Sequence, residues 1–330
     1  MYSGKRVLEY SLAINEALHQ LLYKYKNVNL IGQGVKSPWY VGNTCKGLVE
    51  RFGEERIIDT PVSENAMTGM AVGAAIYGSP TIVVHPRLDF MLYAFDPIIN
   101  QAANWHYMSG GKVNVPVVFW GIINRGGEQA AQHSQALYAM FAHVPGLKVV
   151  MPSNAYDAKG LFVASVLDPN PVVFIDDRIL YRNKCAVPKE LYQVEIGKAK
   201  VVSAGTDVSI IAVSSGVEQS LQIKRRLLLE GISGEIIDLR SIKPLDIVSI
   251  LKSVTKTRRV VVVDVGWKSF GVSAEIAAVI GESGIELKLP VKRIALPDVP
   301  APASRTLEAE YYVDEEKLYQ QIVNYIKRGV

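Results

Sequence analysis

The stretch Asp59-Thr60-Pro61-Val62-Ser63-Glu64-Asn65-Ala66-Met67-Thr68-Gly69-Met70-Ala71-Val72-Gly73 sets one carboxylate, Glu64, ahead of a run of small residues. Pro61 disfavours the helical region for Thr60, so a strand ending at Asp59 turns here. Ser63 is placed to cap a helix and Glu64 to stand in its first turn, where negative charge is favourable. That electrostatic role alone accounts for an acid at this point. A carboxyl in an apolar, helix-flanked site can also be tuned for proton chemistry. Behind it, Gly69 and Gly73 stand four apart, with Ala66, Ala74, Ala75 and Gly78 close by. On a helix these residues make a flat face for close approach of a second helix, from the same domain or from another subunit. In the second case Glu64 lies at a subunit boundary, where ligand pockets are frequent.

The chain has five histidines: His19, His85, His106, His133 and His143. His133 follows a glycine-rich loop and precedes a helical stretch, a good place for a working side chain. His85 follows the apolar strand Thr81 to Val84. Asp168-Pro169-Asn170-Pro171 reads first as a turn. The two cysteines, Cys45 and Cys185, make neither a disulfide framework nor a metal site and fit a reducing compartment.

Short strands rich in valine and isoleucine position these residues. In the first half they are Val28 to Ile31, Arg56 to Asp59, Thr81 to Val84, Val115 to Trp120, Lys148 to Met151 and Val172 to Ile175. Helical stretches alternate with them: Lys46 to Phe52, Ala66 to Tyr77, Asp96 to Tyr107, Ser134 to Phe141 and Ala155 to Leu167. Strands apolar on both faces, alternating with helices, predict a parallel sheet covered on both sides. A second set follows with strands at Val208 to Val213, Gly234 to Asp238, Arg259 to Asp264 and Leu287 to Ile294. Its helices are Val217 to Glu230, Asp246 to Ser253, Ser273 to Gly281 and Glu315 to Lys327. The expected division is a first domain over 1–185, a linker over 186–204 and a second domain over 205–330. Each domain is a three-layer α/β/α unit. The N-terminal stretch reads as an amphipathic helix with Leu8, Leu12, Ile14 and Leu18 on one face, not as a leader. With 330 residues, 49% hydrophobic and 21% charged, the composition is that of an ordinary globular chain. The net charge of +4 is scattered, which argues against a nucleic-acid surface. The longest apolar runs are strand length, which argues against a membrane span. The expected location is cytoplasmic.

The segment DTPVSENAMTGMAVGAA from Asp59 resembles the one carrying the cofactor-activating glutamate in thiamine diphosphate enzymes. The resemblance is to the beta subunit of the decarboxylase component of 2-oxo acid dehydrogenase complexes, of pyruvate, branched-chain and acetoin types. AFDPIINQAANWHYMSGG from Ala94, AAQHSQALYAMFAHVPGLKVVMPSNAYDAKGL from Ala130 and DPNPVVF from Asp168 resemble that family in the same order. So do VVVDVGWKSFGVSAEIA from Val261 and RIALPDVPAPAS from Arg293. The resemblance implies a pyrimidine-binding transketolase-like domain followed by a transketolase C-terminal-like domain. It implies that Glu64 hydrogen-bonds the aminopyrimidine of thiamine diphosphate and activates it. Phe90 would pack on that ring, Tyr93 would line the same pocket, and His133 would serve the substrate carboxylate, proton transfer or acyl transfer. Val117, Ser165, Asp168 and Asn170 match a loop that holds a structural potassium ion in some relatives. The magnesium-bridged diphosphate half needs a Gly-Asp-Gly segment. None occurs here, and Asp264-Val265-Gly266 lies in the wrong half. The implied partner is an alpha subunit carrying that segment, in an α2β2 tetramer, with a lipoyl acyltransferase core beyond it.

The match is poorest from Trp120 to Gln129, where relatives acting on pyruvate usually have arginine at the Trp120 position and Arg-Gly-Pro-Asn-Gly through the loop. His85-Pro86-Arg87 and Ser269-Phe270 depart as well. Arg125, Glu128 and His85 are therefore expected near the substrate. Two other readings stay open: a split transketolase-like or acyloin-forming enzyme that passes a two-carbon unit to an aldehyde or sugar, and a non-catalytic subunit that keeps the fold.

Overall fold

The strands that read as apolar on both faces lie at the centres of two mainly parallel sheets. The computed structural model describes residues 6–37 and 41–327, so the ends of the expected domains, 1–5 and 328–330, lie outside the described residues. The chain begins β1 (Val7–Glu9), α1 (Tyr10–Lys24), β2 (Asn29–Gln33), α2 (Leu48–Phe52), β3 (Ile57–Thr60), α3 (Glu64–Ile76) and β4 (Thr81–His85). It continues with α4 (Ala103–Met108), β5 (Val117–Ile123), α5 (Tyr138–His143), β6 (Lys148–Val150), α6 (Ala155–Val166), β7 (Val172–Asp177) and β8 (Lys184–Ala186). The second half holds β9 (Lys200–Ser203), β10 (Val208–Ala212), α7 (Ser215–Leu229), β11 (Gly234–Asp238), β12 (Ser241–Lys243) and α8 (Ile247–Thr257). It ends with β13 (Val260–Trp267), α9 (Val272–Glu282), β14 (Lys292–Leu296), α10 (Arg305–Tyr311) and α11 (Glu315–Lys327).

The larger sheet has the order β12-β6-β7-β5-β4-β2-β3 and the smaller β14-β13-β10-β11-β9. Within these two sheets every pairing is parallel except β12 with β6 and β9 with β11, and β1 and β8 form a separate antiparallel pair. β4, β5 and β7 are buried along their whole length. This is what strands covered by helices on both faces require. On one face, α1 and α6 pack beside Trp120, Phe162 and Phe174. The apolar cluster on the other face runs from Phe119 and Met151 through Ile211 and Ile237 to Ile276 without a break, so both sheets share one core. α7 and α11 cover the far face of the smaller sheet.

Several expectations shift. Leu8 belongs to β1, paired with Cys185 of β8, and Leu12 is exposed, so the N-terminal helix starts at Tyr10; Ile14 and Leu18 are buried as expected, on a face shared with Tyr10, Ala17 and Leu21. The helix expected over 96–107 begins as a wide π turn at Asp96–Ala102 before α4. Only Ala131–His133, a single tight turn, precedes α5. The last strand starts at Lys292 because Pro290 cannot join a ladder. The stretch 186–204 ends in β9, an edge of the smaller sheet. β12, from the second half, crosses to edge the larger one.

Candidate active site

A cleft of about 490 Å³ opens at the carboxyl ends of β2 and β4, beside the start of α3. Open parallel sheets place ligands at this edge. Glu64, Phe90, Tyr93, His85, Arg87 and Gln33 line it. The floor is fixed by Asp59, whose carboxylate accepts the Gly34 N–H at 2.7 Å and ties the end of β2 to that of β3. Glu64 is the first residue of α3 and is half-buried, so its charge sits where the helix dipole favours it. Ser63 precedes it with φ −160° and ψ 66°, and its hydroxyl donates to the Pro61 carbonyl at 3.3 Å instead of capping the helix.

One turn along α3, the Thr68 hydroxyl meets His85 Nε2 at 3.2 Å. His85 is fully buried, its Nδ1 has no hydrogen-bond partner, and burial pushes its pKa down to about 3. It is therefore a neutral ring clamped between α3 and β4. Phe90 lies in the tight helical segment Leu88–Ala94, which rests directly on β5. Gly121 permits this, because a Cβ there would stand 2.5 Å from Met91 Sδ and 2.7 Å from Leu88 Cδ1. The Phe90 ring meets the His133 ring edge to face, with centroids 5.5 Å apart. Arg87 Nη1 donates to the His133 carbonyl at 3.4 Å, and Nη2 donates to Gln129 Oε1 at 3.0 Å. Tyr93 is 72% exposed, and its carbonyl accepts from Asn65 at 3.3 Å. Glu64, Phe90, Tyr93 and His85 thus line one cleft, and His133 stands behind Phe90, in contact with its ring.

Arg125 and Glu128 do not join them. Arg125 is in a seam between the two sheets. It pairs with buried Asp177 at 2.5 Å, donates to Val265 O at 3.3 Å and contacts Ser215. Glu128 has an exposed side chain, and its backbone N–H is held by Glu308 at 2.9 Å. Trp120 is fully buried, edge to face with Phe162 at 5.2 Å, so its departure from relatives is taken up in the core. The side-chain signal for Arg125 was a charge in a loop; what captured it, Asp177 and Ser215, is far away in sequence. The polar cleft residues that sequence reasoning missed include Gln33, Asn65 and Arg87. Arg87 had a signal, the unusual His85-Pro86-Arg87, and Gly121 had the signal of a glycine inside an apolar strand.

Val117, Ser165, Asp168 and Asn170 lie at the opposite, amino end of the larger sheet. The Asp168 carboxylate accepts from Lys148 at 2.5 Å and from the Asn170 N–H at 2.9 Å, while Asn170 Oδ1 is buried without a partner. Asp264 is saturated by Tyr138, the Gly266 N–H and the Ser273 N–H. Among the described residues no group of three or more His, Cys, Asp or Glu gathers as metal ligands.

The transketolase pyrimidine-binding domain matches residues 6–184, and the transketolase C-terminal domain matches 197–318. The chain belongs to the transketolase family. It is 39% identical over 326 residues to the beta subunit of acetoin:2,6-dichlorophenolindophenol oxidoreductase of Bacillus subtilis, covering 95% of both chains. It is 43% identical over 303 residues to the mitochondrial pyruvate dehydrogenase E1 component subunit beta of Caenorhabditis elegans, covering 90% of this chain and 86% of that one. In fold it is similar to a split-gene transketolase solved as an inactive beta4 tetramer. That similarity has a TM-score of 0.78 at 20% identity and covers 97% of this chain and 98% of that one. The two-domain transketolase fold expected from the sequence is the one observed. Among the described residues no helix is long and apolar enough to cross a membrane.

Proposed function

We propose that this chain is the beta half of a heteromeric thiamine diphosphate enzyme. The enzyme decarboxylates a pyruvate-like 2-oxo acid and hands the acyl unit to a lipoyl carrier. The observation that carries this reading is the placement of Glu64 and Phe90 in one cleft with His133 packed on Phe90, in a chain similar to oxidoreductase beta subunits over nearly its whole length. A carboxyl at a helix start beside an aromatic face suits an aminopyrimidine ring. Thiamine diphosphate, when bound, supplies a nucleophilic carbon and an electron sink for cleavage next to a carbonyl. Glu64 holds a proton at the pyrimidine nitrogen, Phe90 covers the ring and Tyr93 borders it. His133 binds the substrate carboxylate or moves a proton beside the reacting carbon.

The diphosphate and its magnesium ion belong to an alpha chain with a Gly-Asp-Gly segment, in an α2β2 assembly that docks on an acyltransferase core. The face of α3 supports this. Ala66, Gly69 and Gly73 are exposed beside Met70 at 61% and Tyr77 at 95%, and a Cβ on either glycine would meet nothing. A structural potassium ion at 117, 165, 168 and 170 goes with the same reading, supported by the unpartnered Asn170 Oδ1. The unpaired Cys45 and Cys185 support the cytoplasm as the compartment.

Arg87 favours a second reading. A guanidinium in the cleft suits an anionic acceptor, as in two-carbon transfer to a phosphorylated sugar. Product analysis of the assembled alpha and beta chains separates the two. Carbon dioxide release from pyruvate or a related 2-oxo acid, with reduction of an artificial dye, is the expected result. Ketol transfer to an aldehyde without dye reduction moves the assignment to the second reading, and neither activity contradicts both.

A further inference from the structure

We propose that Glu308, in the second half of the chain, is a positioning residue for the cleft. Its carboxylate holds the loop 125–130 in a strained form that sets Gln129, Arg87 and His133 in place. The inference rests on the reading of His133 as a site residue. The loop runs through four left-handed positions, Gly126 (φ 76°), Gly127 (φ 75°), Glu128 (φ 62°) and Ala130 (φ 59°). Glycine takes such angles freely, but glutamate and alanine do not. Ala130, with ψ −170°, stands in a region that is essentially glycine's alone. Non-glycine residues stay there only where their surroundings over-determine them.

The restraint comes from α10. Glu308 is 6% exposed, and its Oε2 accepts the Glu128 N–H at 2.9 Å, between the two strained regions of the loop. Arg125 fixes the loop's entrance through Asp177 and Val265. On the far side, Gln129 Oε1 accepts from Arg87, and Arg87 donates to the His133 carbonyl. A short path of hydrogen bonds thus leads from Glu308 to the residue facing Phe90. Glu308 Oε1 has no partner. An amide at this position could therefore still turn an oxygen toward the Glu128 N–H.

The test compares Glu308→Ala, Glu308→Gln and the double variant Glu308→Ala with Ala130→Gly, each as the full chain and as the assembly with the alpha chain. In Glu308→Ala, the backbone amides of Glu128, Gln129 and His133 should exchange hydrogen about tenfold faster or more, as loss of a charged acceptor predicts. Turnover should fall by about the same factor while thiamine diphosphate affinity stays within about twofold. Glu308→Gln should restore both readouts. Adding Ala130→Gly to Glu308→Ala should recover part of the turnover, because glycine meets no penalty in the required conformation. The proposal is overturned if turnover is unchanged in Glu308→Ala, if Gln is as impaired as Ala, or if Ala130→Gly recovers nothing. Should the wild-type assembly show no 2-oxo acid activity, the functional reading fails and exchange in the full chain decides this inference. Faster exchange reaching His133 supports it, and a change confined to Glu128, or none, overturns it.

Discussion

The cleft at Glu64 and the seam at Arg125 are built on the same edge of the larger sheet, yet they treat charge in opposite ways. In the seam buried charges close on donors from their own chain: Asp177 on Arg125, Asp264 on the Tyr138 hydroxyl and Glu308 on the Glu128 backbone N–H. Asp177 is completely buried. In the cleft Glu64 is half-open, and Val62 and Tyr93 at its rim are 69% and 72% exposed. Charges neutralised within the chain build the molecule. Charges left facing a cavity are those free to meet something from outside.

If this contrast is right, the largest effect on function should come from the cleft. Glu64→Gln should lower turnover of the assembled enzyme by about 10²- to 10⁴-fold, the range for loss of a general acid or base. Its thermal unfolding should be unchanged, since Glu64 is not among the buried residues of the core. Near-normal turnover would remove Glu64 from the site. The seam should answer in the other currency. Arg125→Met leaves Asp177 buried without its ion-pair partner, which should cost about 3–5 kcal/mol of stability. Denaturant unfolding of wild type and variant measures this, and a loss under about 1 kcal/mol would mean that the pair is only a surface-type contact.

A smaller, pH-dependent effect sharpens the border between the two regions. His85 titrates near 6.5 when unfolded, but burial pushes it down to about 3 in the folded chain. The folded state therefore binds fewer protons, and the contribution present above pH 6.5 is lost as pH falls toward 3. The slope is about 1.4 kcal/mol per pH unit. Asp176 and Asp238, each pushed up to about 7 by burial, act oppositely and gain stability as pH falls below 7. The comparison is therefore wild type against His85→Gln. Wild type should lose stability relative to the variant between pH 6 and 4, and a constant difference would mean that His85 is not held neutral by burial.

Much of this arrangement was legible in the residues. Pro61 and the small residues after Glu64 marked the start of α3. The valine-rich runs marked β4, β5 and β7, and their lack of alternation marked a parallel sheet. The fate of the 120–129 departures was not legible. Trp120 turned out to fill a core pocket made by Phe162 and Phe174, and Arg125 found a carboxylate presented by β7. Both outcomes depend on contacts between segments distant in sequence, and no local pattern encodes them. The same holds for β12, whose three residues, Ser241–Lys243, read as a connection until the edge of the larger sheet is there to receive them. Phe270 shows the converse. Its φ of 55° is a backbone angle that glycine takes freely, yet the residue carries a large side chain that is 97% exposed.

On the proposed function, this chain holds half of a site. Calorimetric titration of thiamine diphosphate with magnesium into the purified chain, alone and with the alpha chain, tests it most directly. Tight binding is expected only when both chains are present, with Glu64 meeting a cofactor anchored from the other side. Tight binding to this chain alone, or no binding to the pair, would contradict it.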